Sequence, residues 1–159
     1  MSEAPQHFVF LLLERFTLLA FSSAVEPLRL ANQNLDKTVY TWTIASESGG
    51  PVASSAGISI AADHGLTEVP RDSTIIVCGG LNIKAAITKP VLTWLRREER
   101  RGVAMGAICT ASQVLAQAGL LDGKRATIHW YNRDAFAEEF PEIELTQNIY
   151  VIDGTRYTA

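Results

Sequence analysis

Cys109 is the residue whose type and position in this sequence most directly suggest chemistry. It follows a small, apolar run typical of a buried strand (residues 102–108) and precedes a segment with helical spacing (residues 110–118). A side chain on such a tight strand-to-helix turn is held out over the edge of the sheet. The partial positive charge at the start of the following helix, about +0.5, favours a thiolate there. Because cysteine is also a common buried residue, spacing alone leaves two interpretations open, a reactive thiol or a core side chain.

The glycine pair Gly79-Gly80 ends a second apolar run, residues 73–80, and is predicted to meet Cys109 in the folded chain. Ligands of open α/β sheets bind at the carboxyl ends of the strands, where both features should arrive. Glycine has no side chain to block approach, so its N–H group is free to face a bound oxygen. Together these features predict an anion pocket that contains a nucleophile. Cys78, by contrast, lies within the apolar run and is predicted to be a core residue.

The three histidines are weaker candidates. His129 ends a predicted strand beside Trp130, where it is either a partner for Cys109 or a structural side chain. His7 and His64 have no partner in view, and we predict that both are exposed. The glycine pair does not form a dinucleotide-binding or P-loop motif, and the cysteines lack the spacing of a metal knuckle. The sequence therefore predicts neither a cofactor nor a metal.

Residues 17–34 have the apolar spacing of a helix that packs on the sheet. Ser23 and Glu26 also have the spacing of a capping box, which leaves open a second interpretation in which the regular helix begins only at Ser23. Pro27 then lies in the first turn, where its missing N–H needs no partner. Glu26 is explained as a capping residue, although a site role for it stays open.

Strands and helices alternate along the chain. Several strands are continuously apolar, which is typical of a mostly parallel sheet covered by helices on both faces. The predicted strands are residues 7–13, 40–46, 73–80, 102–108 and 125–130, and the predicted helices are residues 17–34, 90–101, 110–118 and 132–139. A small hairpin is predicted at residues 49–63, and two final strands around Asp153-Gly154. An α/β layer normally needs a closing helix after its last strand, so we expect the domain to be cut short at Ala159.

The composition is that of one globular domain without a nucleic-acid surface. The 159 residues are 47% apolar and 19% charged, with a net charge of −3. A DNA-binding domain carries a concentrated positive footprint, whereas the basic cluster "RREERR" (residues 96–101) contains two glutamates and is predicted to be a solvated helix face. No apolar run reaches the ~20 residues that span a bilayer, and no export signal is evident. We therefore expect a cytoplasmic protein with reduced cysteines and no membrane partner.

Three stretches of the sequence resemble a known family. "MGAICTASQVLAQAGLLDGKRATIHW" (residues 105–130) is similar to the cysteine elbow of the ThiJ/PfpI branch of the class I glutamine-amidotransferase-like superfamily. "AVEPLRLAN" (residues 24–32) and "YTWTIASESGGPVASSAGISI" (residues 40–60) resemble one sub-branch, the amidotransferase-like N-terminal domain of AraC-type transcriptional regulators. The resemblance covers nearly all of residues 1–159 and implies a flavodoxin-like, three-layer α/β sandwich, commonly dimeric.

The resemblance also implies roles for individual residues. Cys109 becomes the elbow cysteine and His129 the histidine of the "HW" pair. The backbone N–H groups of Gly80 and Thr110 form an oxyanion-type hole. The ligand-binding residues implied in this way are Gly79, Gly80, Leu81, Cys109, Thr110, His129 and Trp130.

Two departures from the family pattern argue against catalysis. Enzymes and redox sensors of the superfamily place an acid at the start of the first helix, against the cysteine, and that position here is Ala20. The residue after the cysteine is Thr110, where peptidase-like members have a histidine. Cys109 with His129 remains the candidate catalytic pair, but without the acid an intermediate at the sulfur loses its proton partner.

The function that this resemblance implies is a sensing domain. We expect a non-catalytic, effector-binding and dimerising domain of an AraC-type regulator, which contacts DNA through a C-terminal helix-turn-helix region absent from these 159 residues. Its expected partners are a small-molecule effector and a second copy of the chain. The alternatives are a cysteine-dependent hydrolase or hydratase of the ThiJ/PfpI type, and a redox or carbonyl-stress sensor that acts through oxidation of Cys109.

Overall fold

The computed structural model describes residues 3–159. Its elements, in chain order, are β1 (Gln6–Leu12), α1 (Leu18–Leu35), β2 (Tyr40–Ala45), β3 (Val52–Ala53), β4 (Ser59–Ile60), β5 (Thr74–Cys78), α2 (Ile83–Ala86), α3 (Lys89–Arg100), β6 (Ala104–Ile108), α4 (Ser112–Gln117), β7 (Arg125–Ala126), α5 (Arg133–Glu139), β8 (Glu144–Leu145), β9 (Val151–Asp153) and β10 (Arg156–Thr158). A short 3₁₀ turn, Trp130–Asn132, precedes α5. No helix within the described range is long and apolar enough to cross a bilayer.

Six strands form the central sheet in the order β2-β1-β5-β6-β10-β9. Neighbouring strands run parallel except β9, which pairs antiparallel with β10. The register places Leu12 beside Cys78, and Cys78 beside Ile108. The predicted mostly parallel sheet is confirmed, and the carboxyl ends of β1, β5 and β6 meet at one edge, where the candidate site lies.

Helices cover both faces of the sheet. Because successive residues of a strand point to opposite faces, Val9 and Leu11 pack in one core cluster, and Phe10 and Leu12 pack in another. The first cluster includes buried residues of α3 and α4, and the second includes Phe21 of α1. This arrangement confirms the predicted α/β three-layer sandwich.

Helix α1 runs from Leu18 to Leu35, which confirms the helix predicted at residues 17–34, and the alternative start at Ser23 is wrong. Phe21 is buried upstream of that motif and packs edge-on against Phe10 and Phe16, with ring centroids 5.5 Å and 6.0 Å away. Aromatic pairs in this geometry add stability beyond the area they bury. Tertiary packing therefore extends the helix through residues 18–22, which the capping-box motif placed before the start of the helix.

Pro27 consequently lies inside α1 rather than in its first turn. Since proline has no N–H, the hydrogen bond that residue 27 of a regular helix donates to the Ser23 carbonyl is missing. Glu26 makes no capping contact and instead forms a 2.8 Å ion pair with Arg29. Both side chains are about half exposed, so this pair contributes little to stability.

The predicted strand at residues 125–130 shrinks to the two residues of β7, which pair with β8 in a separate sheet. Side chains satisfy the backbone beyond it. The Thr127 N–H donates to Thr158 Oγ1 (2.9 Å), and the Thr127 carbonyl accepts from Ser112 Oγ (2.6 Å). These hydrogen bonds replace the ladder of a longer strand and leave the chain free to turn towards Cys109.

Glu98 is fully buried, so the predicted solvated face of α3 is wrong at this residue. Its carboxylate accepts hydrogen bonds from Arg97 Nε (2.8 Å), from the Val69 N–H (3.3 Å) and from the guanidinium of Arg101. A buried carboxylate needs such partners, because taking it out of water alone is costly. Arg97 and Arg101 are therefore engaged in structural ion pairs.

His7 and His64 are half-buried and linked through Thr43, so the prediction that they are exposed without a partner is wrong. Thr43 Oγ1 lies 3.4 Å from His7 Nε2 and 3.0 Å from His64 Nε2. The other ring nitrogens lie 2.8 Å from Thr41 Oγ1 and 2.8 Å from the Gly65 carbonyl oxygen. The pairing of β1 with β2, which places His7 opposite Thr41, creates this contact between residues far apart in the sequence.

The free energy of unfolding is expected to fall as the pH falls below about 6.5, in part through His7. Burial lowers the pKa of His7 from its ordinary value of 6.5, and His64 lowers it further, against the opposing effect of Asp72. The unfolded chain therefore binds a proton at a pH where the folded chain does not, so acidification favours unfolding. Urea unfolding at about pH 5 and about pH 8 measures this dependence. His7→Gln should weaken it, and an unchanged dependence in that variant would contradict the assignment.

Candidate functional site

Cys109 occupies the sharp corner between β6 and α4 that the sequence predicted. Its φ is 63°, in the left-handed region that residues other than glycine rarely adopt. The Cys109 N–H donates to the Ala159 carbonyl (2.9 Å), and the Cys109 carbonyl accepts from the His129 N–H (3.0 Å). Such a conformation costs on the order of 1–3 kcal/mol, and residues strained in this way cluster at functional sites. The thiol is partly exposed, so Cys109 is not a core side chain.

Thr17 is a neighbour of the thiol that the sequence did not reveal. Its Oγ1 lies 3.5 Å from Cys109 Sγ, and Thr17 is the N-cap residue of α1. Ala20, in the first turn of α1, lines the same cavity as Cys109. The position at which the resemblance expects an acid is therefore a methyl group, and the polar contact to the sulfur comes from a hydroxyl. Thr17 marks the start of the predicted helix, but only the fold brings that start against the thiol.

Gly79 and Gly80 allow three segments of chain to approach closely. A Cβ on Gly80 would lie 2.1 Å from the Arg15 carbonyl oxygen, and one on Gly79 would lie 2.7 Å from Thr110 Oγ1. Thr110 Oγ1 also donates to the Gly80 carbonyl (2.8 Å). Within residues 3–159, the backbone N–H groups of Gly80 and Thr110 have no hydrogen-bond acceptor. Both residues line a cavity that contains Cys109, so these donors are available to an oxygen atom bound there.

Two cavities meet at Cys109, and Thr17 and His129 line both. The Gln113 cavity, of about 670 Å³, is also lined by Gly80, Leu81, Lys84, Thr110, Gln113, Asn132 and Glu139. The Trp130 cavity, of about 650 Å³, is also lined by Ala20, Ile128, Trp130 and Ile149. Both volumes fall within the range of small-molecule sites.

The structure brings the predicted ligand-binding residues together, with one exception. Gly80, Leu81 and Thr110 line the Gln113 cavity, Trp130 lines the Trp130 cavity, and Cys109 and His129 line both. Gly79 is the exception, because it packs against Thr110 and lines neither cavity. Binding of a ligand by these residues stays a prediction.

One ring nitrogen of His129 is engaged by the backbone of the turn that follows it. Its Nδ1 accepts a hydrogen bond from the Tyr131 N–H (3.3 Å), which caps the 3₁₀ turn. The ring also stacks on Trp130, with centroids 5.5 Å apart. A neutral imidazole that accepts at Nδ1 carries its proton on Nε2. Nδ1 is therefore occupied by the turn and does not accept a proton from a thiol while this hydrogen bond is kept.

Cys78 lies in the core, as predicted. It is 1% exposed, and burial raises the pKa of its thiol well above the ordinary range, with a further contribution from Cys109. Both cysteines are free. Among residues 3–159, no group of three or more histidine, cysteine, aspartate and glutamate side chains is arranged to hold a metal ion.

Comparison with known proteins identifies the family to which this chain is similar. The model described as the DJ-1/PfpI family matches residues 8–159. The HTH-type transcriptional regulator CdhR of Pseudomonas aeruginosa is 45% identical over 154 residues, covering 97% of this chain and 46% of that protein. The HTH-type transcriptional regulator GbdR of the same species is 41% identical over 155 residues, covering 98% of this chain and 42% of that protein.

A solved structure similar to this chain also belongs to a transcriptional regulator. The crystal structure of an AraC family transcriptional regulator from Pseudomonas putida matches with a TM-score of 0.83 and 28% identity, covering 98% of this chain and 83% of that one. This chain spans less than half the length of the two Pseudomonas aeruginosa regulators. Because the family model matches residues 8–159 of this chain and the elbow cysteine is in place, the chain belongs to the DJ-1/PfpI family.

Proposed function

We propose that this chain is the effector-sensing and dimerising domain of an AraC-type transcriptional regulator, in which a small metabolite binds beside Cys109 without being turned over. The observation that carries the proposal is the combination of a partly exposed thiol on a strained corner with Ala20 in place of an acid. The site therefore keeps the geometry of a nucleophile but has lost its proton carrier. The similarity to CdhR and GbdR supports the regulatory role.

The neighbours of the thiol support binding over catalysis. Turnover requires a group that gives and takes protons within hydrogen-bond reach of the reacting atoms. Thr17 Oγ1 contacts the sulfur, but a hydroxyl does not change its charge near neutral pH. His129 uses Nδ1 to cap the following turn. A ligand that enters the site meets hydrogen-bond donors and a soft thiol, and among residues 3–159 the sulfur has no acid–base group within hydrogen-bond distance.

Recognition of DNA belongs, in this proposal, to a part of the protein outside these residues. The regulators that this chain resembles are more than twice its length. The net charge of −3 gives the described domain no general attraction for phosphates. A C-terminal helix-turn-helix region supplies the DNA contacts, and the whole regulator acts in the cytoplasm.

The chain is expected to be a dimer in solution at micromolar concentration. Regulators that read paired DNA half-sites need paired subunits, and the sensing domain is the part proposed to pair them. Analytical ultracentrifugation or light scattering should give the mass of two chains, and a mass of one chain across the micromolar range would contradict this part of the proposal.

The proposal is tested by asking whether ligands that stabilise the chain also cover Cys109. A library of small amides, carboxylates, alcohols and amines is screened for a rise in melting temperature, because a ligand of the folded state stabilises it in proportion to ln(1 + [L]/Kd). Each hit is then added during alkylation of Cys109. The same experiment with Leu30→Ala, a substitution at an exposed position, is the control for effects unrelated to the site. We expect hits to slow alkylation. Hits that stabilise the chain but leave the alkylation rate unchanged would place the ligand elsewhere.

A further inference from the structure

Arg133 is a half-buried cation without a counter-ion. It is the first residue of α5, and it lines the Trp130 cavity together with Cys109. Within residues 3–159, its guanidinium forms no ion pair and no hydrogen bond, not even with the adjacent carboxylate of Asp134. Taking a charge out of water is costly unless an opposite charge pairs with it, so a cation left in this position requires an explanation.

The terminal nitrogens of Arg133 are the atoms that a ligand reaches. The Nε atom is buried without a partner, but Nη1 and Nη2, which also have no partner in the described part of the chain, retain accessible surface. These nitrogens carry all the N–H donors of the guanidinium fork except the one on Nε. The planar fork matches the two oxygens of a carboxylate, which it binds through parallel hydrogen bonds.

The charge of the Trp130 cavity favours a ligand with a single negative charge. The rest of its wall, all of it within residues 3–159, has no aspartate, glutamate, lysine or second arginine side chain and includes the apolar side chains of Ile128 and Ile149. Ala159 also lines the cavity but forms no ion pair with Arg133. A neutral ligand would cover the guanidinium without pairing it, and a dianion would bring a charge that finds no partner.

We propose that Arg133 selects the charge of the effector by binding the carboxylate group of a monoanionic ligand in the Trp130 cavity. The N–H groups of Nη1 and Nη2 donate to the carboxylate oxygens, and the uncharged part of the ligand packs against the remaining wall, which includes Cys109. This inference rests on the proposed function, because it names the chemical class of the molecule sensed at that site.

The same geometry discriminates against a primary carboxamide, which has the shape of a carboxylate. One of the two terminal atoms of the amide group is a donor, and it would meet the donors of the Arg133 fork. The amide also lacks the charge that makes a guanidinium–carboxylate pair stronger than a neutral hydrogen bond. Specificity of this kind arises because the wrong ligand leaves a partner unpaired.

Titration of the full chain with butyrate, followed by NMR chemical shifts at constant ionic strength, tests the proposal. We expect butyrate to bind at least about tenfold more tightly than butyramide. Arg133→Gln removes the charge, so it should weaken butyrate binding at least about tenfold and change butyramide binding by less than about twofold. Arg100→Gln makes the same change in net charge at an exposed position of α3 outside the cavity, and this matched control should leave both affinities unchanged.

A conservative variant and the stability of the ligand-free chain separate binding from a structural role. Arg133→Lys keeps the charge but loses the fork, so it should bind butyrate more weakly than the parent and still prefer it to butyramide. Because Arg133 has no partner, Arg133→Gln should leave the melting temperature unchanged or raise it. A lower melting temperature with equal weakening of butyrate and butyramide would mean that Arg133 maintains the shape of the cavity, and this would overturn the proposal.

The remaining outcomes distinguish this inference from the proposed function. Absence of butyrate binding, equal binding of butyramide, tighter binding of inorganic phosphate, or equal butyrate binding by Arg133→Gln would each overturn the carboxylate assignment. If a neutral or cationic molecule protects Cys109 from alkylation equally in the parent chain and in Arg133→Gln, the proposed sensing function stands and this inference alone fails. Butyrate binding that depends on Arg133, with no ligand protecting Cys109, would support the carboxylate site and count against a ligand beside the thiol.

Discussion

Cys109 is expected to react with a thiol reagent at least about a hundredfold faster than Cys78 in the folded chain, because Cys78 reacts only after the structure opens. The Cys109 thiol is partly exposed, whereas Cys78 is 1% exposed and burial raises its pKa well above the ordinary range. Alkylation followed by peptide mass spectrometry measures both rates in one sample.

The variants Cys78→Ala and Cys109→Ala assign the two rates, and unfolding in urea provides the control. The difference between the cysteines should largely disappear in the unfolded chain, because it arises from the fold. Equal rates in the native chain, or faster labelling of Cys78, would contradict the placement of Cys109 at an accessible corner.

Replacing Glu98 by alanine is expected to lower the free energy of unfolding by about 3–5 kcal/mol. The carboxylate is fully buried and bonded to Arg97, Arg101 and the Val69 N–H. The substitution leaves the Val69 N–H without its acceptor and removes a partner from Arg101, whose side chain is only 18% exposed. Urea unfolding with a linear extrapolation measures the change.

Glu68 offers a matched control for that experiment. It pairs with the same Arg101 at 2.8 Å, but its side chain is 73% exposed. Glu68→Ala should therefore cost about 0–1 kcal/mol. Similar losses for the two variants would show that burial of Glu98 does not determine its contribution.

The sheet and the cysteine corner were predictable because their signals are local. Continuous apolar runs such as residues 73–80 and 102–108 are typical of strands buried on both faces. Gly79-Gly80 and Cys109-Thr110 each end such a run, and neighbouring parallel strands bring their carboxyl ends to one edge of the sheet. The meeting of the glycine pair with the cysteine follows from that rule.

The errors occur where contacts distant in the sequence decide the structure. The capping-box spacing of Ser23 and Glu26 is real, but the packing of Phe21 against Phe10 and Phe16 starts the helix earlier. "RATIHW" has strand composition, yet Thr127 is bonded by side chains from two other segments. Each local pattern was overridden by partners that the pattern does not contain.

Two site features have no sequence signature of their own. Thr17 reaches Cys109 Sγ only because α1 starts at the carboxyl edge of the sheet. Gln113 occupies a helical position with the spacing of a core residue, and its place in the wall of a cavity becomes visible only when the chain is folded. Residues of this kind are identified by what surrounds them, which composition and spacing do not specify.

The central claim is that the Cys109 site binds without turnover, and counting product molecules per chain tests it most directly. The parent chain, Cys109→Ala and Ala20→Glu are each incubated with small amides, isonitriles and reactive carbonyls. General acid–base help is worth roughly 10²–10⁴ in rate, so with Ala20 in the acid position the parent should release no more than a single equivalent of product or adduct per chain. Ala20→Glu, which restores the carboxylate, is the variant in which turnover is expected to appear. Many equivalents from the parent chain, lost in Cys109→Ala, would contradict the claim and identify the protein as an enzyme.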